Sequence, residues 1–149
     1  MRDFDRPLDA SGRLDAEATG AAMLAAGYVP DLVLCSGAAR ARQTLDGVIL
    51  HITPGKVIHT NTLYSSDGGE YVATIRDAPD AETMLVVGHN PMMEDVAMAL
   101  AGDGDEAARH VLNAGFPTSG LAVIRFSGKL REAAPGTGYL EAFLVPAER

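Results

Sequence analysis

The chain has 149 residues, 47% of them hydrophobic, which suffices for one domain with a proper core and is too short for two. Twenty acidic against twelve basic residues give a net charge of −8, which argues against a nucleic-acid partner or an anionic membrane surface. The single Cys35 excludes an internal disulfide, no apolar run approaches the ~20 residues of a membrane span, and no basic-then-apolar leader opens the chain; the expectation is a cytoplasmic protein.

The opening "MRDFDRPLD" is a polar stub without helix or strand pattern. "DASGRLDAEATGAAMLAAGY" then predicts a helix with Ser11 as N-cap and Gly27 just past its end. Leu14, Ala18, Ala21, Ala22 and Ala25 recur at helical spacing and predict a small-residue packing face. "DLVLC" is a short unbroken apolar run, the pattern of a strand buried on both faces. After the Ser36-Gly37 turn, "AARARQTLDGVIL" returns to helical character, and "KVIHT" is another short strand. In "DGGEYVATIRDA", Asp67 and Glu70 have the spacing of a capping box.

"TMLVVG" predicts a buried strand and "PMMEDVAMALAG" a helix begun near Pro91 and stopped by Gly102. "DEAARHVLNA" predicts a further helix, and "GLAVIRF" with "GYLEAFLV" an antiparallel hairpin. Strands alternating with helices imply a three-layer α/β/α sandwich, a mostly parallel sheet closed by that hairpin, in one domain spanning 1–149. A fold of repeated βα units normally starts with a strand, so the first strand is expected to be missing from this chain.

Ligands of open α/β sheets bind beyond the carboxyl ends of the strands. Two such junctions carry chemistry: Ser36 and Arg40 after one strand, His89 and Asn90 after another. An arginine fork, an imidazole and two helix N-termini would suit a phosphate-sized anion. Taken singly, Arg40 also reads as a solvated helix residue and His89 as a structural histidine.

Four segments decide between these readings by resemblance. "DRPLDASGRLDA", "DLVLCSGAARARQTLDGV", "LVVGHNPMMEDVAMALAG" and "FPTSGLAVIRF" resemble, in order, the segments of the histidine phosphatase superfamily, and specifically its SixA-type phosphohistidine phosphatases. The resemblance implies a phosphoglycerate mutase-like fold and hydrolysis of phosphohistidine, in a protein or a small phosphoryl substrate, through a phosphohistidine intermediate. It makes Arg40 and His89 the catalytic pair that binds the phosphoryl group, with Ser36 and Asn90 beside them as phosphate-binding residues. It implies no cofactor and no metal.

The family's nucleophile is a histidine in an Arg-His-Gly or Arg-His-Ala motif that ends the first strand. No such motif occurs in these 149 residues; Arg109-His110 is followed by Val111 inside a predicted helix. The strand and its motif are therefore expected just before Met1, the chain being N-terminally truncated. The rival of a different class is a non-catalytic phosphoryl-binding or scaffold protein that lacks the nucleophile. A cysteine-based phosphatase fits worse, because four residues separate Cys35 from Arg40 where that mechanism uses five. His51 and His59, eight apart around a Pro-Gly turn, do not make a metal site.

Overall fold

The structure, a computed structural model, describes residues 2–65 and 67–146. After a 3-10 turn at Asp3–Asp5 come helix α1 (Ala10–Ala26), strand β1 (Leu32–Ser36), α2 (Ala39–Val48), β2 (Lys56–Thr60), the single turn α3 (Thr62–Ser65) and α4 (Gly68–Asp77). There follow β3 (Met84–Val87), α5 (Met92–Leu100), β4 (Ala101–Gly104), α6 (Glu106–Asn113), β5 (Leu121–Phe126) and β6 (Gly138–Leu144).

The strands form two three-stranded sheets, in the orders β2-β1-β3 and β4-β6-β5. The first is parallel throughout, with Leu32 opposite both Lys56 and Met84, and Cys35 opposite both His59 and Val87. In the second, β4 runs parallel to β6 and β5 antiparallel to it, so the predicted hairpin is present. β3 and β5 are edge strands of their sheets.

Every residue of β1 is buried, because helices cover both faces of the first sheet. Val33 and Cys35 pack with Met23, Leu45, Val48, Leu85 and Val87 on the side of α1 and α2. Leu32 and Leu34 point the other way, into a core with Leu63, Tyr71, Ile75, Val96 and Leu100. This alternation follows from the period of two along a strand. Strands β3 and β5 both contribute to these same cores: Leu121 of β5 packs against the cluster that holds Leu85 and Val87, while Ile124 and Phe126 pack against the cluster that takes Met84 and Val86.

Three local expectations are corrected. The N-cap of α1 is Asp9, whose side chain accepts the Gly12 N–H at 2.7 Å, and not Ser11, which lies inside the first turn. The packing face of α1 is Gly12, Ala16, Thr19, Gly20 and Met23, whereas Leu14 is 48% exposed and Ala21 and Ala25 face solvent. Close approach of α1 to α2 selects that face: a Cβ on Gly20 would lie 2.6 Å from the Val48 carbonyl oxygen, so the smallest residues must stand there. Thirdly, Gly102 does not stop α5. The helix ends at Leu100 and the chain passes directly into β4.

The capping expectation at α4 is met by Asp67, which accepts the Glu70 N–H at 3.0 Å. Gly27 closes α1 in the left-handed conformation, φ 78°. Among the described residues no helix is long and apolar enough to cross a membrane.

Candidate active site

β1 and β3 are parallel neighbours, so their carboxyl ends lie side by side. Ser36 is the last residue of β1, Arg40 stands in the first turn of α2, and His89 follows β3 by two residues. His89 Nε2 and Ser36 Oγ share a hydrogen bond of 2.8 Å. Ser36, fully buried, also accepts the Ala38 N–H at 3.2 Å. No side chain caps α2, so its first turn keeps N–H groups that favour an anion.

His89 is fixed from its backbone as well. Its N–H donates to the Tyr71 hydroxyl at 3.2 Å, and Tyr71 in turn donates to the Leu63 carbonyl. Gly88 makes room for this anchor, since a Cβ there would come within 2.7 Å of the Tyr71 ring and hydroxyl. Burial lowers the imidazole's pKa from its ordinary 6.5, and the charge of Arg40 lowers it further against a smaller opposing pull from Asp3. Both effects favour the neutral form of the free imidazole.

Arg40 is ion-paired to Asp3, at 3.1 Å from Nη1 to Oδ1 and 3.2 Å from Nη2 to Oδ2. The Tyr64 hydroxyl donates to the same carboxylate at 2.8 Å, and the Tyr64 ring stands edge-on to His89 with centroids 5.3 Å apart. Phe4 packs edge-on against Tyr64 from the other side. Arg40 and His89 are therefore joined through Asp3 and Tyr64. Asn90 is committed elsewhere, its amide donating to the Phe116 carbonyl at 3.1 Å.

Sequence reasoning missed Asp3, Tyr64 and Tyr71. Asp3 lies in the stub that carries no pattern, and Tyr64 and Tyr71 lie in "NTLYSSDGGEY", where Asp67 and Glu70 stand out only for their capping-box spacing. Their contacts with Arg40 and His89 span 18 to 37 residues, beyond the reach of local spacing. Gln43 binds the stub to α2, its side-chain oxygen accepting the Leu8 N–H at 2.7 Å.

Three other residues that the sequence singles out lie outside this cluster. Cys35 is wholly buried in the core under α1 and α2, and burial pushes its thiol up to about 12. Cys35→Ser is expected to leave phosphate affinity within a few-fold, measured by titration calorimetry; loss by orders of magnitude in a folded protein would restore a thiolate role. Arg109 and His110 lie on the exposed face of α6, where Arg109 pairs with Asp103 at 3.4 Å. Two surface cavities also lie apart: one, of about 320 Å³, is lined by Asp31, Glu82 and Arg131 at the amino ends of β1 and β3, and another, of about 470 Å³, by Asp103, Arg125 and Tyr139.

A scan against protein-family profiles finds no match. An uncharacterized protein of Mycobacterium tuberculosis is 37% identical over 149 residues, covering 98% of this chain and 92% of that protein. Among solved structures, a candidate phosphohistidine phosphatase SixA from Nakamurella multipartitia aligns over 99% of this chain and 89% of its own, at TM-score 0.83 and 31% identity. Its counterpart from Agrobacterium tumefaciens aligns over 98% and 87%, at TM-score 0.80 and 32% identity.

Proposed function

The chain belongs to the histidine phosphatase superfamily, among the SixA phosphohistidine phosphatases, and from that premise we propose that it serves a phosphatase acting on phosphohistidine or a similar phosphoryl substrate. The observation that carries this reading is the convergence of Ser36, Arg40 and His89 at the carboxyl ends of two adjacent parallel strands. Arg40 supplies a planar pair of donors for two phosphoryl oxygens, and the uncapped start of α2 adds partial positive charge. Burial and Arg40 favour the neutral form of His89 in the free protein, a dianion arriving beside it favours the imidazolium, and the charged ring then donates to the phosphoryl group.

Neither residue takes the nucleophile's part. In the proposed reaction a histidine nitrogen attacks phosphorus, the bond to the leaving nitrogen or oxygen breaks, and the leaving group takes up a proton. Water then attacks the phosphohistidine and releases inorganic phosphate and the free imidazole. Arg40 and His89 neutralise the charge on the transferring oxygens in both steps. The open edges of β3 and β5, which share two cores, support a place for a strand that brings in the attacking histidine.

The second reading, a phosphoryl-binding module without catalysis, is favoured by one observation: none of the four histidines stands in an Arg-His-Gly or Arg-His-Ala sequence. One experiment separates the two. The 149-residue chain and a version extended at its amino end by an apolar strand ending in Arg-His-Gly are assayed on phosphohistidine and on an aryl phosphate. The expected result is hydrolysis by the extended protein only. Turnover by the short chain that His110→Ala abolishes would contradict the proposed roles, and an extended protein that binds phosphate without turnover would establish the module.

A further inference from the structure

The fork of Arg40 is already filled. Its Nη1 donates both to Asp3 Oδ1 and to the Asp3 carbonyl, each at 3.1 Å, and its Nη2 donates to Oδ2 at 3.2 Å. Arg6 Nη2 and the Tyr64 hydroxyl donate to the same carboxylate. Donors from the opening turn, from α2 and from α3 thus converge on one anion, beside the ring of His89. A set of two guanidinium groups and a phenol is what a phosphoryl group requires, and here a carboxylate of the chain itself occupies it.

We propose that Asp3 is an internal competitor for the phosphoryl group: its carboxylate holds the outer edge of Arg40 until a substrate dianion displaces it. The proposal rests on the reading of Arg40 as the phosphoryl ligand. Both partners are partly open to solvent, with side-chain exposures of 31% for Arg40 and 44% for Asp3, so an incoming anion can reach the pair without unfolding anything. The exchange replaces one anion by another on the same donors, so Arg40 is never left without a counter-charge. A phosphoryl dianion, with three oxygens and twice the charge, wins that exchange; a monoanion gains little over the carboxylate it must expel. Asp3 therefore sets a threshold that favours dianionic phosphoryl groups. The Asp3–Asp5 turn, with Phe4 leaning on Tyr64, is the part of the chain that must yield as the exchange occurs.

The test is titration calorimetry of the 149-residue chain with inorganic phosphate, in wild type, Asp3→Asn, Asp3→Glu and Arg40→Gln. Removing the competing charge is expected to tighten phosphate binding about fivefold in Asp3→Asn, the scale of an exposed ion pair. Asp3→Glu keeps the charge and is expected to stay within about twofold of wild type, while Arg40→Gln loses binding. Unchanged or weaker binding in Asp3→Asn, with Arg40→Gln still deficient, would overturn the competitor role and leave Arg40 as a phosphoryl ligand. An equal gain in Asp3→Glu would overturn it too, because a loosened turn and not a removed charge would then be the cause. Phosphate binding untouched by Arg40→Gln, or absent from every variant, would overturn the phosphoryl-site reading itself and this proposal with it.

Discussion

Arg40→Ala, placed in the protein extended by the Arg-His-Gly strand, is expected to lower kcat/KM for an aryl phosphate by at least about a hundredfold, the scale seen when one preorganised oxyanion donor is removed. The reason is geometric. Arg40 offers two parallel donors in a fixed plane, and its position in the first turn of α2 aims the helix dipole at the same oxygens. Arg40→Lys should recover only part of the loss, because an ammonium restores the charge and not the fork. Steady-state kinetics decide this, and a loss below about fivefold in Arg40→Ala would remove Arg40 from the phosphoryl site.

The second large effect concerns stability. Tyr71 is fully buried and is the largest such side chain among the described residues. It packs with Leu34, Leu63 and Val96 while its hydroxyl ties the Leu63 carbonyl to the His89 N–H. Tyr71→Ala is expected to cost about 4 kcal/mol in chemical denaturation, as for other large buried rings cut to alanine. Tyr71→Phe keeps the ring and loses the hydroxyl, leaving the buried Leu63 carbonyl and the half-buried His89 N–H without that partner, for an expected cost of about 1–2 kcal/mol. The two variants separate the ring's share in the core from the hydroxyl's share in fixing His89. A destabilisation of Tyr71→Ala no greater than that of Tyr71→Phe would show that the ring's burial counts for little.

What the sequence reveals, and where it fails, depends on how far apart the interacting groups are. β1 is readable because burial on both faces leaves "LVLC" without a polar residue, and its exit marks Ser36 and Arg40 at once. The face of α1 is misread because alanine recurs all round the helix and gives little contrast. The actual face is chosen by how closely Ala16 and Gly20 let α2 approach, which only the packed structure reveals. β4 escapes notice because "AGDG" has no apolar signal; its strand character comes from backbone pairing to β6, 37 residues away at Ala101 and Gly138. Asp3 and Tyr64 escape for the same reason, their roles being set by Arg40 from distant points of the chain.

In the proposed site Arg40 and His89 act on one anion, and the protonation of His89 reports this most directly. The pKa of the His89 imidazole is measured by NMR with and without saturating inorganic phosphate, in wild type and in Arg40→Ala. Without phosphate it should lie below its ordinary 6.5, as burial and the neighbouring guanidinium disfavour the imidazolium. Bound phosphate should raise it, because an adjacent dianion favours the charged ring, and affinity reckoned on the dianionic form of phosphate should then increase as pH falls through the window between the free and bound pKa values. Arg40→Ala should remove that phosphate-induced rise at the same phosphate concentration. A His89 pKa that does not move when phosphate is bound, or that moves equally in Arg40→Ala, would contradict a shared phosphoryl site.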